Sequence, residues 1–146
     1  MEPYFSLGDY TRPISTNSDE ARIWFNRGLN WCYAFHHKEA QRCFQKTVEL
    51  DPTCAMGYWG IAYATGPYYN IPWVKMSPHG RPLAIAATYE AARKAVELAA
   101  SGAVTTVEKA LCEALARRFQ ASAVEDEDVL GQWDDDYADA MRGVYR

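Results

Sequence analysis

From about residue 19 onward, apolar residues return every three or four positions with polar residues between them, the period of an amphipathic helix. No run alternates with period two, as a half-buried strand would. Ser18 or Asn17 can cap a first helix over residues 19–35, with Asp19 and Glu20 at its positive end. Trp24, Gly28 and Trp31 share one face of it, widened by Ile23, Phe25 and Leu29. A second helix over residues 38–50 carries Ala40, Cys43, Phe44, Thr47 and Val48, and Asp51-Pro52 stops it. The link at His36-His37 has room only for an antiparallel hairpin. A third helix, residues 53–65, presents Met56, Trp59, Ile61, Ala62 and Tyr63 before Gly66-Pro67 ends it. A fourth runs from Pro82, well suited to a first helical position, to residue 100, and Ser101-Gly102 closes it. Thr105 with Glu108 forms a capping-box pattern that opens a fifth helix to about residue 119. Trp133, Tyr137, Ala140, Met141 and Val144 mark a sixth. The predicted fold class is all-α.

Residues 66–82 interrupt this rhythm. They hold four of the seven prolines together with Tyr68, Tyr69 and Trp73, too aromatic a composition for a flexible linker. A long loop with its own aromatic side chains is a functional candidate, the plainer alternative being that it packs onto the helices as core.

Six helices in three hairpins invite a search for repeats. Residues 21–54, ARIWFNRGLNWCYAFHHKEAQRCFQKTVELDPTC, form a 34-residue unit that resembles the tetratricopeptide repeat without a gap. Trp24, Gly28, Trp31, Ala40, Phe44 and Pro52 stand at its large, small and turn positions, while Arg27 and Thr47 depart from it. A second unit begins in register at Tyr58, Ile61, Ala62 and Thr65 and takes an insertion of about fourteen residues; a third is degenerate. More narrowly, LGDYTRPIST, AFHHKEAQRCF, DPTCAMGYWGIA and GPYYN look like the LGDYxRPIST, GFNHxEAxxxF, DPxCAMxYWGIA and GPNYN stretches of one tetratricopeptide-like subfamily. The departures are Ala34, His36 and Tyr68. The resemblance implies a short right-handed solenoid of about three hairpins, in a single domain over residues 1–146: an irregular leader (1–18), repeat 1 (19–52), repeat 2 with the insertion (53–102) and the degenerate repeat 3 (103–146).

In such solenoids the first helix of each hairpin lines a groove. Here that assigns Arg22, Phe25, Leu29, Cys32 and Tyr33, then Met56, Trp59 and Tyr63. Relatives that clamp a terminal carboxylate carry Lys and Asn where this chain has Phe25 and Leu29, so the expected groove is apolar and aromatic. The expected ligand-binding set is Phe25, Leu29, Tyr33, Trp59, Tyr63, Tyr68, Tyr69 and Trp73.

Charge narrows the partners. The net charge is -4, which disfavours nucleic acid, whose binding rests on a basic face. Eight of the nineteen acids fall in residues 125–139, where no Lys or Arg occurs, and the first 124 residues hold thirteen bases against eleven acids. Cys32, Cys43, Cys54 and Cys112 form no CxxC pair and sit in apolar stretches, as reduced, buried cysteines do. With no signal-peptide pattern at the N-terminus, and with prolines breaking the uncharged run over residues 52–74, the expected protein is cytoplasmic and makes no use of a membrane.

Chemistry is sparse. His36-His37 with Cys54 or His79 lacks any fixed metal-ligand spacing, and the acidic stretch lacks that of a calcium loop, so no metal or cofactor is predicted. The expected arrangement has His37 capping or packing the hairpin turn and His36 exposed. His37, His79 and Tyr69 remain candidates for proton transfer. Two functions compete: an interaction module that binds a protein partner or its own copy through the groove, and an accessory enzyme or carrier that encloses a small organic molecule beneath the 66–82 loop. Tyr137, Met141 and Val144, with Trp133 and Tyr145 extending the stripe, predict a homodimer through the last helix.

Overall fold

The computed structural model describes residues 4–146. Among them are six α-helices and no strand: α1 (Asp19–Tyr33), α2 (His37–Leu50), α3 (Ala55–Thr65), α4 (Gly80–Ala100), α5 (Thr106–Ala116) and α6 (Asp128–Val144). Each packs on its neighbour in sequence; α3 also meets α1 and α5, so α1, α3 and α5 line up as one layer. No helix among the described residues is long and apolar enough to cross a membrane.

Local chemistry sets the ends. Ser18 Oγ accepts from Ala21 N–H at α1, and at α5 Thr105 and Glu108 cap one another reciprocally. α1 closes in a Schellman turn, with His36 N–H donating to the Trp31 carbonyl at 2.9 Å and Phe35 N–H to Cys32 at 3.0 Å. The turn forces Phe35 to φ 60°, a left-handed conformation that glycine adopts far more readily. α4 starts at Gly80, two residues before Pro82, because a helix's first turn leaves its N–H groups without intrahelical partners and a proline there loses nothing.

Close approach of helices needs small residues at the crossing. The Phe44 ring of α2 lies against Gly28 of α1 and Gly60 of α3; a Cβ at Gly28 would come 2.5 Å from that ring. Phe25 and Phe44, both fully buried, tilt together with ring centres 5.4 Å apart. Around them Leu29, Cys54, Met56, Ala95 and Cys112 complete one core cluster. A second cluster gathers Trp73, Ile85, Leu115, Phe119, Leu130 and Trp133, and Trp59, Ile61 and Tyr63 touch both. All four cysteines are buried and unpaired.

In its described part, residues 4–18, the leader has no helix or strand, yet it is held by polar stitches the pattern gave no hint of. Tyr4 Oη donates to Glu39 at 3.0 Å and accepts from Trp31 Nε1 at 2.6 Å. Arg12 N–H donates to Asn26 Oδ1 at 2.8 Å, and Thr16 Oγ1 to Asp51 at 2.5 Å. Ser15 donates its N–H and its hydroxyl to Glu108, both at 2.6 Å. Burial alone would push the Glu108 carboxyl up, but these donors and Thr105 more than offset it and hold it below its ordinary value.

Two expectations about the ends of the chain's motifs need correcting. Trp133 does not extend an exposed stripe: at 4% exposure it belongs to the second core cluster, because α6 lies back along α5 with Leu130 and Trp133 facing inward. Trp73 is likewise core, 2% exposed and edge-on to Phe119 at 6.0 Å, since the short 3₁₀ turn Trp73–Lys75 drives it under α5.

Candidate functional site

Along the layer of α1, α3 and α5 run two hollows of about 500 Å³ each. Leu29, Cys32 and Tyr33 of α1, Trp59 and Tyr63 of α3, and Val107 and Leu111 of α5 wall the first. Its remaining wall comes from α6 (Tyr137, Met141 and Val144), with Arg12 and Tyr145 at the rim. The second is built from Phe35 and His37 of the hairpin turn, Pro67, Tyr68, Tyr69 and Pro72 of the inserted loop, and Arg118. Cys32, Tyr33 and Tyr63 border both hollows, so the two adjoin as one grooved face.

Of the residues expected to bind a ligand, Leu29, Tyr33, Trp59, Tyr63, Tyr68 and Tyr69 come together on this groove. Phe25 and Trp73 do not: both are sealed in the core, Phe25 because its face of α1 turns toward Phe44 and Trp73 because Phe119 covers it. Met56 and Arg22 also lie off it, Met56 being buried beside Cys112 and Arg22 paired with Asp19. His79 sits exposed ahead of α4, where it makes no cap hydrogen bond and lines neither hollow.

Of the two adjacent histidines, His36 is exposed and His37 packs, as expected, but the capping role falls to His36. His36 is the cap, its Nδ1 accepting from Glu39 N–H at 3.3 Å, while the His37 ring lies flat on Tyr68 with centres 3.7 Å apart and planes 11° off parallel. Helix geometry decides this. The N-cap residue is the one whose side chain can reach back to the free N–H groups of the first turn, and His37 is already one residue inside. Burial lowers the His37 pKa, which keeps the imidazole neutral near pH 7, and its Nδ1 is buried without a hydrogen-bond partner.

The tight turn at Tyr68–Ile71, closed by mutual backbone bonds of 3.2 and 3.0 Å, raises Tyr69 to the rim at 91% exposure. Trp59 stacks on Tyr63 within the groove, centres 5.0 Å apart and 9° from parallel. Burial raises the pKa values of Tyr63 and Tyr137, so both phenols stay protonated hydrogen-bond donors. The Cys32 thiol at the junction is pushed up to about 12 by burial, which leaves it a packing group and no thiolate nucleophile. Among the described residues no three His, Cys, Asp or Glu side chains gather closely enough to hold a metal ion.

Several groove residues escaped the sequence reading. Phe35 is 61% exposed and lines the second hollow from its left-handed backbone, a strained position of the kind that concentrates where a side chain must be presented. The signal was available: a helix end with no glycine at the turn. Tyr137, Met141 and Val144, the expected stripe of the last helix, line the first hollow together with Val107 and Leu111 of α5. Arg12 arrives through the leader, whose course no periodicity records.

Compared with protein-family models, with curated proteins and with solved structures, the chain matches none of them.

Proposed function

We propose that this chain is a tetratricopeptide-like interaction module, a short right-handed stack of helical hairpins that binds an extended segment of a partner protein along the α1–α3–α5 groove. One observation carries the reading. The two aromatic hollows adjoin, sharing Cys32, Tyr33 and Tyr63 as a common border, and neither is a closed chamber. Each hollow is of the size that takes one large side chain or a small ligand, so two in line suit a chain with two anchoring residues. Phenolic hydroxyls of Tyr33, Tyr63 and Tyr137 along the walls suit the polar backbone of such a chain.

The test is a panel of aromatic-rich decapeptides assayed by fluorescence anisotropy against the whole chain and against Trp59→Ala and Tyr63→Ala. Binding that both substitutions weaken at least tenfold supports the groove. Binding indifferent to both, or none across the panel, overturns it.

A second reading has its own support, the His37–Tyr68 stack walling the second hollow. There a small organic molecule would lie beneath the loop, with the neutral His37 imidazole as proton acceptor. Native mass spectrometry of the purified chain separates the readings, since a retained small ligand lost in His37→Ala belongs to the second alone. Self-association through α6 is the proposal's homodimeric form, to which exposed Val107 and Tyr145 beside the groove would contribute. A sedimenting species that stays at 16.5 kDa at tens of micromolar would exclude it.

A further inference from the structure

The groove carries a charge pattern opposite to that of the chain. Among the described residues no aspartate or glutamate lines either hollow, although acids outnumber bases by nineteen to fifteen overall. The full charges that do line it are two arginines, Arg12 at the first hollow and Arg118 at the second. They are not equivalent. Arg118 is occupied: its Nε donates to Asp134 at 2.8 Å, a terminal nitrogen donates to the Pro67 carbonyl at 3.3 Å, and its plane sits over the Tyr137 ring at 5.4 Å. The Arg12 guanidinium makes no ion pair or side-chain hydrogen bond among the described residues.

Arg12 is also held in place. Its own N–H is fixed to Asn26 of α1, Ile14 two residues on is buried, and Ser15 is bound twice to Glu108. The cation is therefore presented at the groove rim by a pinned backbone, with a free five-donor fork suited to a carboxylate. Of the acids of α6, Asp134 is the one that holds Arg118, and two others face elsewhere. Asp136 and Asp139 line a separate hollow with Glu113 and Arg117; Asp136 accepts from Gln120 and Gln132, and Asp139 pairs with Arg142.

We propose that the occupant of the groove is an acidic aromatic peptide segment, whose Asp or Glu side chain is anchored by Arg12 and whose neighbouring aromatic residue enters the hollow between Leu29, Trp59, Tyr63 and Met141. This rests on the groove reading above. Charge complementarity selects the partner: an apolar trough whose uncommitted charge, among the described residues, is positive rewards an anion and penalises a cation. The chain's net negative charge does not defeat this, because at physiological salt, exposed charges beyond about 8 Å are largely screened while a contact pair at the rim is not. Anchoring comes from the segment ahead of α1, so the helix positions occupied by Phe25 and Leu29 need contribute no cation.

The experiment uses dye-labelled decapeptides that carry one Trp and one Glu at spacings of one to five residues, and the same set with Gln in place of Glu. Anisotropy titrations at 0.15 M salt are run on the whole chain and on Arg12→Gln, Arg12→Lys and Trp59→Ala. The expected result is that the best Glu peptide binds the unaltered chain at least tenfold more tightly than its Gln twin. Arg12→Gln removes that preference, Arg12→Lys keeps part of it, and Trp59→Ala weakens both twins alike. Equal binding of Glu and Gln peptides, with Trp59→Ala still abolishing both, overturns the acidic partner and leaves the groove standing. Binding of neither set at any spacing overturns both readings. Because the Glu-to-Gln comparison is made on the unaltered protein, it decides the matter even if an Arg12 variant folds poorly.

Discussion

Phe44 and Trp59 stand on adjacent helices of the same hairpin stack, one fully buried and the other half-buried on a groove wall. What separates them is the residues they face. Phe44 meets Gly28 and Gly60, whose missing side chains let three helices close around its ring. Trp59 meets Tyr63 one turn along its own helix and Leu29, Tyr137 and Met141 across a gap that no small residue closes. At this pair of helices the large side chain opposed by glycine is sealed, and the one opposed by large side chains walls a trough. For Phe44 and Trp59 the difference between core and groove wall thus lies in the partner residue, not in the aromatic itself.

The sharpest way to break that contrast is to truncate one aromatic from each set. Phe44→Ala and Trp73→Ala should each cost about 3–5 kcal/mol, the usual range for removing a sealed aromatic side chain. Trp59→Ala, half-buried and stacked on one face, should cost roughly 1–2 kcal/mol. Tyr69→Ala at the loop tip should stay within about 0.5 kcal/mol. Urea denaturation read by circular dichroism measures all four. A Trp73 variant as stable as the Tyr69 variant would move the whole inserted loop to the recognition side.

Filling the glycine side of the contact attacks the same contrast from the other direction. Gly28→Leu should overpack the α1–α2 crossing and cost ~1–3 kcal/mol, with Phe44 displaced from its slot. An unchanged melting temperature would mean that the hairpins do not close around that ring.

Much of this was legible beforehand, and for identifiable reasons. Helix existence follows from a repeat of apolar residues, and caps from short-range chemistry, so Ser18, Thr105 and Glu108 were found directly. Gly28 and Phe44 stood out as a small and a large position of the first hairpin, but only the structure shows that the two meet. The failures share a different cause. Phe25 and Leu29 occupy the same helix and the same expected stripe, yet one is sealed and the other borders the groove, because a single turn decides which side of a crossing a residue falls on. Trp73 and Tyr69 lie four residues apart in a loop without period, and only the tight turn at Tyr68–Ile71 and the 3₁₀ turn after it decide which one goes in. The placement of Arg12 depends on hydrogen bonds reaching 14 to 93 positions along the chain, which no local pattern encodes.

Those long-range stitches give a third test, on the polar side of the comparison. Glu108 is buried at 3% exposure and accepts from Ser15 and Thr105, so its folded-state pKa lies below the ordinary 4.5. A carboxyl depressed on folding adds stability above the unfolded pKa and loses it as pH falls through the folded value. Stability should therefore decline below about pH 4.5, and Glu108→Gln should flatten that part of the profile while costing roughly 1–3 kcal/mol at pH 7. Loosening this anchor also frees the leader that presents Arg12, so peptide preference for Glu over Gln should fall along with stability. A Glu108→Gln protein with the acid decline intact would place the responsible carboxylate elsewhere.

One small expected effect has the opposite sign. Phe35 closes α1 at φ 60°, where a residue with a Cβ pays a penalty that glycine avoids, yet its ring is largely exposed and gains little from packing. If stability alone shaped this turn, glycine would serve better, and Phe35→Gly should stabilise the chain by about 0.5–1 kcal/mol. The ring borders the hollow that also holds His37, Tyr68 and Tyr69, so the same substitution should weaken groove peptides severalfold. A gain in stability joined to a loss of binding would mark Phe35 as a recognition residue held under strain, the counterpart on the groove of the glycines that seal the core. A loss of stability would mean that the ring supports the hairpin turn, and Phe35 would then pass to the structural side of the comparison with Phe44 and Trp73.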